Sequence, residues 1–198
     1  AIGNNSARKK WEKNWKINIS PDPGLNLVQM IEAAERGNLK ALYIMGENPL
    51  RALPEPDRVK NALKNLEFIV VQDILNNETV KIADVVLPAA AISEKEGSVT
   101  NLEGRIQSFK AVTPPPGKAK PDWEILDLLS AGLGDANPYG SLEKIRQEIR
   151  QLVPMYGSLN GADHTWIQTT SEKALFKAQG AEGLITFYPV VSTEDDPA

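Results

Sequence analysis

Three short runs in this chain are apolar at almost every position: ALYIM at residues 41–45, FIVV at 68–71 and DVVLP at 84–88. A run with no polar face suits a strand buried on both sides within a parallel sheet. Each run follows a stretch of helical character. Asn26 is placed as an N-cap for LVQMIEAAERG, with Leu27, Met30, Ile31 and Ala34 on one face and Gly37 at the end. Asp57 is placed to cap a second helix through Leu66, with Val59, Leu63 and Leu66 inward, and a brief helical stretch around 78–82 precedes the third run. Alternation of this kind over short links predicts an α/β domain with a parallel sheet.

The pattern changes after residue 90. Polar and apolar residues alternate from Ser98, and residues 101–104 (NLEG) read as a turn between two short extended stretches. Three prolines at 114–116 break the chain. Pro121-Asp122 then opens a helix with Asp122 as its N-cap and Gly132 and Gly134 at its end. Another amphipathic helix follows Ser141, with Leu142, Ile145, Ile149 and Leu152 inward and Pro154 closing it. Beyond 155 the periodicity is weak, and GLITFYPVV near the end reads as a strand. Residues 1–24 are polar, carry a basic cluster and are expected to be irregular, although Trp11 and Trp15 at i, i+4 permit a short helical turn against a neighbour. The division read from this is 1–24 irregular, 25–135 an α/β region, and 136–198 a partly helical extension.

Composition narrows the chemistry. With no cysteine among 198 residues, disulfides, thiolate zinc sites and cysteine-held iron–sulfur clusters are excluded from this chain. The one histidine, His164, has no second imidazole with which to build a metal site or a triad, and reads as a surface residue. A net charge of -4 gives no electrostatic footprint for nucleic acid. No apolar run is long enough to cross a bilayer, so no membrane insertion is expected. Neither GxGxxG nor a Walker loop occurs.

In an open α/β sheet, ligands bind beyond the carboxyl ends of the strands. Those ends carry Gly46-Glu47-Asn48-Pro49 and Gln72-Asp73. Asn48, Gln72 and Asp73 are therefore expected along one edge. A carboxylate there can accept two N–H groups of a guanine and an amide can take the remaining edge or the ribose, against the plainer reading of generic loop polarity. Lys95, within Glu94-Lys95-Glu96-Gly97, is a candidate phosphate or ribose contact or else part of a solvated charge cluster. Asp122 is expected as a cap that can also face a ligand. Arg105 has Glu94, Glu96 and Glu103 as possible partners. Glu94 and Glu96 would point the same way in a strand, with no acid/base partner evident.

Taken together, GENP, then FIVVQDILNNETVKIADVVLPAAAISEKEGSVTNLEGRIQ, then PPGKAKPDWEIL resemble the molybdopterin oxidoreductases, most of all formate dehydrogenase large subunits and the related G subunit of NADH–quinone oxidoreductase (complex I). The similarity is strong over residues 40–134 and weak before Gly24 and after Gly140. It implies a parallel-sheet, Rossmann-like half of an interrupted domain with a partly helical C-terminal extension, cut from a longer subunit and stopping near Pro189, where a further cofactor-binding barrel would begin. It implies a parent that binds molybdenum or tungsten through two molybdopterin guanine dinucleotides, with iron–sulfur clusters and the metal ligand in regions outside this chain. The positions matching the family's guanine-nucleotide contacts are Asn48, Gln72, Asp73, Lys95 and Asp122, and no metal ligand or catalytic residue is implied here.

The expected role is to help hold the guanine dinucleotide in formate-dehydrogenase-like electron transfer, with the rest of the large subunit and iron–sulfur or NADH-dehydrogenase-type subunits as partners. The setting expected is cytoplasmic or peripheral to the inner membrane. The alternative is a non-catalytic structural domain of a G subunit without pterin, which NLEGRIQ resembles equally well. A chain parted from the other half of its domain is also expected to self-associate through open sheet edges.

Overall fold

The computed structural model describes residues 5–101, 104–134 and 138–157, and the backbone of 165–166. Its first half is built on helix α1 (Asn5–Trp15), helix α2 (Leu27–Glu35), strand β1 (Ala41–Met45), helices α3 (Pro49–Ala52) and α4 (Pro56–Lys64), strand β2 (Phe68–Asp73) and strand β3 (Val85–Pro88). The three strands form a parallel sheet in the order β1-β2-β3, in register from Ala41 opposite Phe68 and from Val70 opposite Val85.

Helix α2 starts where the sequence places it. The Asn26 carboxamide accepts from the Gln29 N–H at 2.9 Å and the Gln29 side chain accepts from the Asn26 N–H at 2.9 Å, a reciprocal capping box. Gly37, at φ +70, ends it, a left-handed position that costs glycine nothing. Ile31 and Ala34 of α2, Val59, Ala62 and Leu63 of α4, and Ile44, Ile69 and Val71 of the sheet make the core. A helix repeats its face every three to four residues and a strand every two, so these spacings bring one face of each element together. Leu63 and Val71 are fully buried, and each such side chain contributes about 1.5–3 kcal/mol.

Several expectations are corrected here. Residues 5–15 are helical rather than irregular. Trp11 and Trp15 stack with ring centroids 4.7 Å apart, and the Trp15 indole N–H donates to Glu148 at 2.7 Å, which anchors this polar stretch to a distant part of the chain. Strands β1 and β3 are not buried on both faces. They are the sheet edges, α2 and α4 cover one side only, and Tyr43, Met45, Phe68, Val85 and Val86 are exposed. Asp57 does not cap α4. Pro56 takes the first helical position, which its fixed φ and missing N–H suit, so Glu55, at φ +57, is the cap residue and Asp57 lies inside the first turn. Leu27 is 44% exposed rather than inward.

The second half pairs strand β4 (Gly97–Thr100) with β5 (Arg105–Phe109) in an antiparallel hairpin, with a short β6 (Thr165–Trp166) on the other side of β5. Asn101 closes the turn as expected, its carboxamide accepting from the Arg105 N–H at 2.9 Å. Helices α5 (Asp122–Gly132) and α6 (Leu142–Leu152) follow. Ile106 of β5 packs against Ile149 of α6 together with Met155 and Tyr156. The apolar face expected of α6 also buries Arg146, which donates to Glu96 at 3.0 Å. That contact takes Glu96 away from Arg105, whose Nε is buried without a partner among the described residues. Glu94 does not share a strand with Glu96. It ends a 3₁₀ turn and accepts from the Ala91 N–H at 2.9 Å. His164 and GLITFYPVV lie outside the described residues. Among the described residues, no helix is long and apolar enough to cross a membrane, and no group of three or more His, Cys, Asp or Glu side chains could hold a metal ion.

Candidate functional site

Two short backbone links bring distant residues to the carboxyl ends of the parallel strands. The Gly46 N–H donates to the Gln72 carbonyl and the Ala89 N–H to the Asp73 carbonyl, extending the sheet beyond its last paired residues. Beyond β3, the Lys120 N–H donates to the Pro88 carbonyl and the Ala90 N–H to the Lys120 carbonyl, forming a parallel bridge between Ala89 and Lys120. That bridge delivers Pro121 and the start of α5 to the strand ends. Lys95 arrives from the turn after Ala91. The result is an open cleft of about 660 Å3 lined by Asn48, Arg51, Asp73, Glu78, Lys95 and Asp122, with loop residues between them. This volume falls within the range of about 300–1,000 Å3 usual for small-molecule clefts.

Four of the five expected residues line that cleft. The fifth, Gln72, is completely buried and lies beneath it. Its amide N–H donates to Asp122 Oδ1 at 2.7 Å, and its oxygen accepts from the Tyr43 hydroxyl. Lys95 Nζ donates to the other Asp122 oxygen, Oδ2. The chain of contacts therefore runs Tyr43, Gln72, Asp122, Lys95. This overturns the expectation that Asp122 caps its helix. Pro121 holds the cap position with no side-chain cap bond, and Asp122 is the first helical residue, free to turn towards Gln72 and Lys95. Burial works to raise the Asp122 carboxyl, but the hydrogen bonds from Lys95 and Gln72 and the Lys95 charge outweigh it and hold the group below its ordinary value. The positive end of α5 favours the same charged form.

Asp73 closes the loop after β2 on itself. Its Oδ1 accepts from the Leu75 N–H at 3.0 Å and its Oδ2 from the Asn77 amide at 2.9 Å. A carboxylate has about four acceptor positions, so each oxygen keeps capacity for a donor in the cleft. The Asn48 amide N–H donates to Glu78 Oε2 at 2.8 Å and its oxygen accepts from the Thr79 hydroxyl at 2.7 Å. The Asn48 hydrogen bond leads the causes that lower the Glu78 carboxyl. The rim thus presents carboxylates with spare acceptors, beside the cations Arg51 and Lys95.

Tyr43, Glu78 and Thr79 were not singled out by sequence reasoning. For Glu78 and Thr79 a signal existed: the polar run Asn76-Asn77-Glu78-Thr79 directly follows the end of β2. For Tyr43 there was none, because an aromatic inside an apolar run reads as core.

Comparison with known proteins follows the same outline. The family model described as molybdopterin oxidoreductase matches residues 3–131. The chain is 46% identical over 150 residues to the F420-dependent formate dehydrogenase subunit alpha of Methanocaldococcus jannaschii, covering 75% of this chain and 22% of that protein. It is 37% identical over 149 residues to the NADPH-Fe(3+) oxidoreductase subunit alpha of Geobacter sulfurreducens, covering 75% of this chain and 18% of that protein. The chain thus spans about a fifth of the length of these relatives. Among solved structures, acetylene hydratase from Pelobacter acetylenicus shares the fold, with a TM-score of 0.60 and 18% sequence identity over 82% of this chain and 24% of that one.

Proposed function

The chain belongs to the molybdopterin oxidoreductase family, and we propose that it forms one section of a larger oxidoreductase subunit, where it holds the guanine-nucleotide end of a molybdenum or tungsten pterin cofactor. The observation that carries this reading is the convergence of Asn48, Asp73, Lys95 and Asp122, far apart in sequence, on one polar cleft beyond the carboxyl ends of a parallel sheet. That is where nucleotides bind in open α/β folds.

The residues fit such a group. Asp73 and Asp122 offer acceptors to the donor edge of a guanine or to ribose hydroxyls, and Asn48 offers an amide. Lys95 and Arg51 offer positive charge for phosphate. When bound, the cofactor would supply the metal and pterin that exchange electrons with a substrate, while these residues bind and orient its nucleotide end. The uncovered face of the sheet supports the reading of a section within a larger subunit, because parallel sheets are ordinarily covered on both sides. The alpha-subunit names of the relatives support partners of other subunit types, and a formate-dehydrogenase-like electron transfer in the cytoplasm is the activity to which we assign it.

The test is metal analysis and oxidised-pterin fluorescence on the full-length subunit containing this chain, wild type against Asp73→Asn and Asp122→Asn. The expectation is molybdenum or tungsten with pterin in the wild type and a marked loss of pterin in both variants. Wild-type subunit free of pterin, isolated from a host competent to make it, would instead establish the structural role of a complex I-type G subunit.

A further inference from the structure

We propose that Tyr43 and Thr79 are positioning residues for this cleft, their hydroxyls holding the oxygen ends of two carboxamides whose NH2 ends are selected by the rim carboxylates Asp122 and Glu78. The inference rests on the nucleotide-binding reading for its ligand, but its geometry stands on its own.

A carboxamide can sit either way round, and its neighbours decide. Gln72 lies between the Tyr43 hydroxyl and Asp122. If its oxygen faced Asp122, two acceptors would oppose each other in a buried place, since Asp122 is ionised through Lys95. The NH2 group must therefore face Asp122, the oxygen must face Tyr43, and the phenol must be the donor. Asn48 repeats the arrangement. Its NH2 group faces the Glu78 carboxylate at 2.8 Å and its oxygen faces the Thr79 hydroxyl at 2.7 Å, so that hydroxyl is again the donor.

Thr79 is completely buried. It precedes the 3₁₀ turn at Val80–Ile82, where a threonine ordinarily caps through its side chain, yet its hydroxyl makes no capping bond. Its one described side-chain hydrogen bond goes to Asn48. Burial raises the Tyr43 hydroxyl, and the Asp122 charge adds to this, so the proton needed for donation is retained. Each carboxylate selects the NH2 end and each hydroxyl donates to the oxygen left facing it, so Gln72 and Asn48 are held from both ends and in turn hold Asp122 and Glu78 at the cleft.

This separates Tyr43 and Thr79 from residues that touch the ligand, and the test reads the amides directly. Side-chain NH2 resonances of Asn48 and Gln72 would be followed in the full-length subunit containing this chain, with its asparagine and glutamine side chains selectively labelled and GDP as the binding probe, for wild type, Thr79→Val, Thr79→Ser and Tyr43→Phe. Thr79→Val keeps the shape and loses the donor. It should shift the Asn48 resonances, speed their exchange with solvent and weaken GDP by about tenfold, the scale of one lost hydrogen bond. Thr79→Ser should restore both to within about twofold. Tyr43→Phe should do to Gln72 what Thr79→Val does to Asn48, and because Tyr43 is 37% exposed this variant keeps the test open if Thr79→Val fails to fold. Unchanged amide resonances in Thr79→Val and Tyr43→Phe, or no rescue by Thr79→Ser, would overturn the proposal. If GDP binds none of the proteins while the amides still respond, the nucleotide reading falls and the holding of Asn48 and Gln72 by these hydroxyls stands.

Discussion

The two faces of the parallel sheet use the same strand for opposite purposes. Val71 and Gln72 are neighbours on β2 and both are completely buried. Val71 points to the side covered by α2 and α4, where it joins the apolar core. Gln72 points to the other side, where it joins Tyr43 to Asp122. One residue of register separates a site of close packing from a site of directed hydrogen bonds. Packing sets where the strand ends lie, and the polar side decides what those ends present. Damage to the first should cost stability broadly, and damage to the second should cost orientation locally.

The largest expected effect tests the packing side. Leu63, fully buried between helix and sheet, should cost about 2–5 kcal/mol on truncation to alanine through lost transfer energy and the cavity left behind. Denaturant titration would measure it. A loss below about 1 kcal/mol would mean that the core collapses around the gap and is less well packed than the burial implies. Next comes Gln72→Leu, similar in size and unable to hydrogen-bond. It removes the partner of the Tyr43 hydroxyl and of one Asp122 oxygen, at about 1 kcal/mol because water can reach both groups, and it should change the cleft more than Leu63→Ala does. The comparison breaks if Leu63→Ala weakens GDP while Gln72→Leu leaves it alone.

The helix side of this architecture was legible because burial there follows a period. The N-cap at Asn26, the stop at Gly37 and the inward Val59 and Leu63 need only local spacing. Asn48, Asp73, Lys95 and Asp122 could be named from strand-end positions and from likeness to a family, and they line one cleft. Their contacts could not be read. Asp122 looks like a cap by sequence, and it is the bridge between Ala89 and Lys120, a non-local event, that turns it towards Gln72 instead. Gln72 looks like a ligand contact by position, but alternation along β2 sends it under the rim. Exposure of one whole sheet face was illegible for a related reason: an apolar run reports what a strand prefers to meet, and says nothing about how much of the covering material this chain supplies.

A smaller effect concerns pH. The Asp122 carboxyl lies below its ordinary value in the folded chain, so the folded state binds its proton less readily than the unfolded state. Its contribution is fully present above the ordinary aspartate range, about 4, and is lost as pH falls through the lower folded value. Its side chain is 34% exposed, so solvent screening limits the contribution to about 1 kcal/mol or less. Thermal midpoints recorded between about pH 6 and about pH 3 should fall less steeply for Asp122→Asn than for wild type. Parallel slopes would mean that Lys95 and Gln72 do not favour the ionised form over the neutral one.

The smallest effect belongs to the covered side but not to its packing. Arg58 of α4 reaches Glu35 at the end of α2, with Nε to Oε1 at 2.6 Å and its second contact at 3.0 Å. That hydrogen bond leads the causes lowering the Glu35 carboxyl. The two-pronged geometry is favourable, yet both side chains are open to solvent, at 47% and 30% exposure, where ion pairs contribute little. Arg58→Ala should therefore lower the thermal midpoint by less than Asp122→Asn does at neutral pH. The difference from wild type should vanish near 1 M salt, where screening acts over about 3 Å. A deficit that persists in salt would show that Arg58 acts through its aliphatic stem, packed across the seam between α2 and α4. The charge would then be incidental, and the covered face would be held by apolar contact out to its rim.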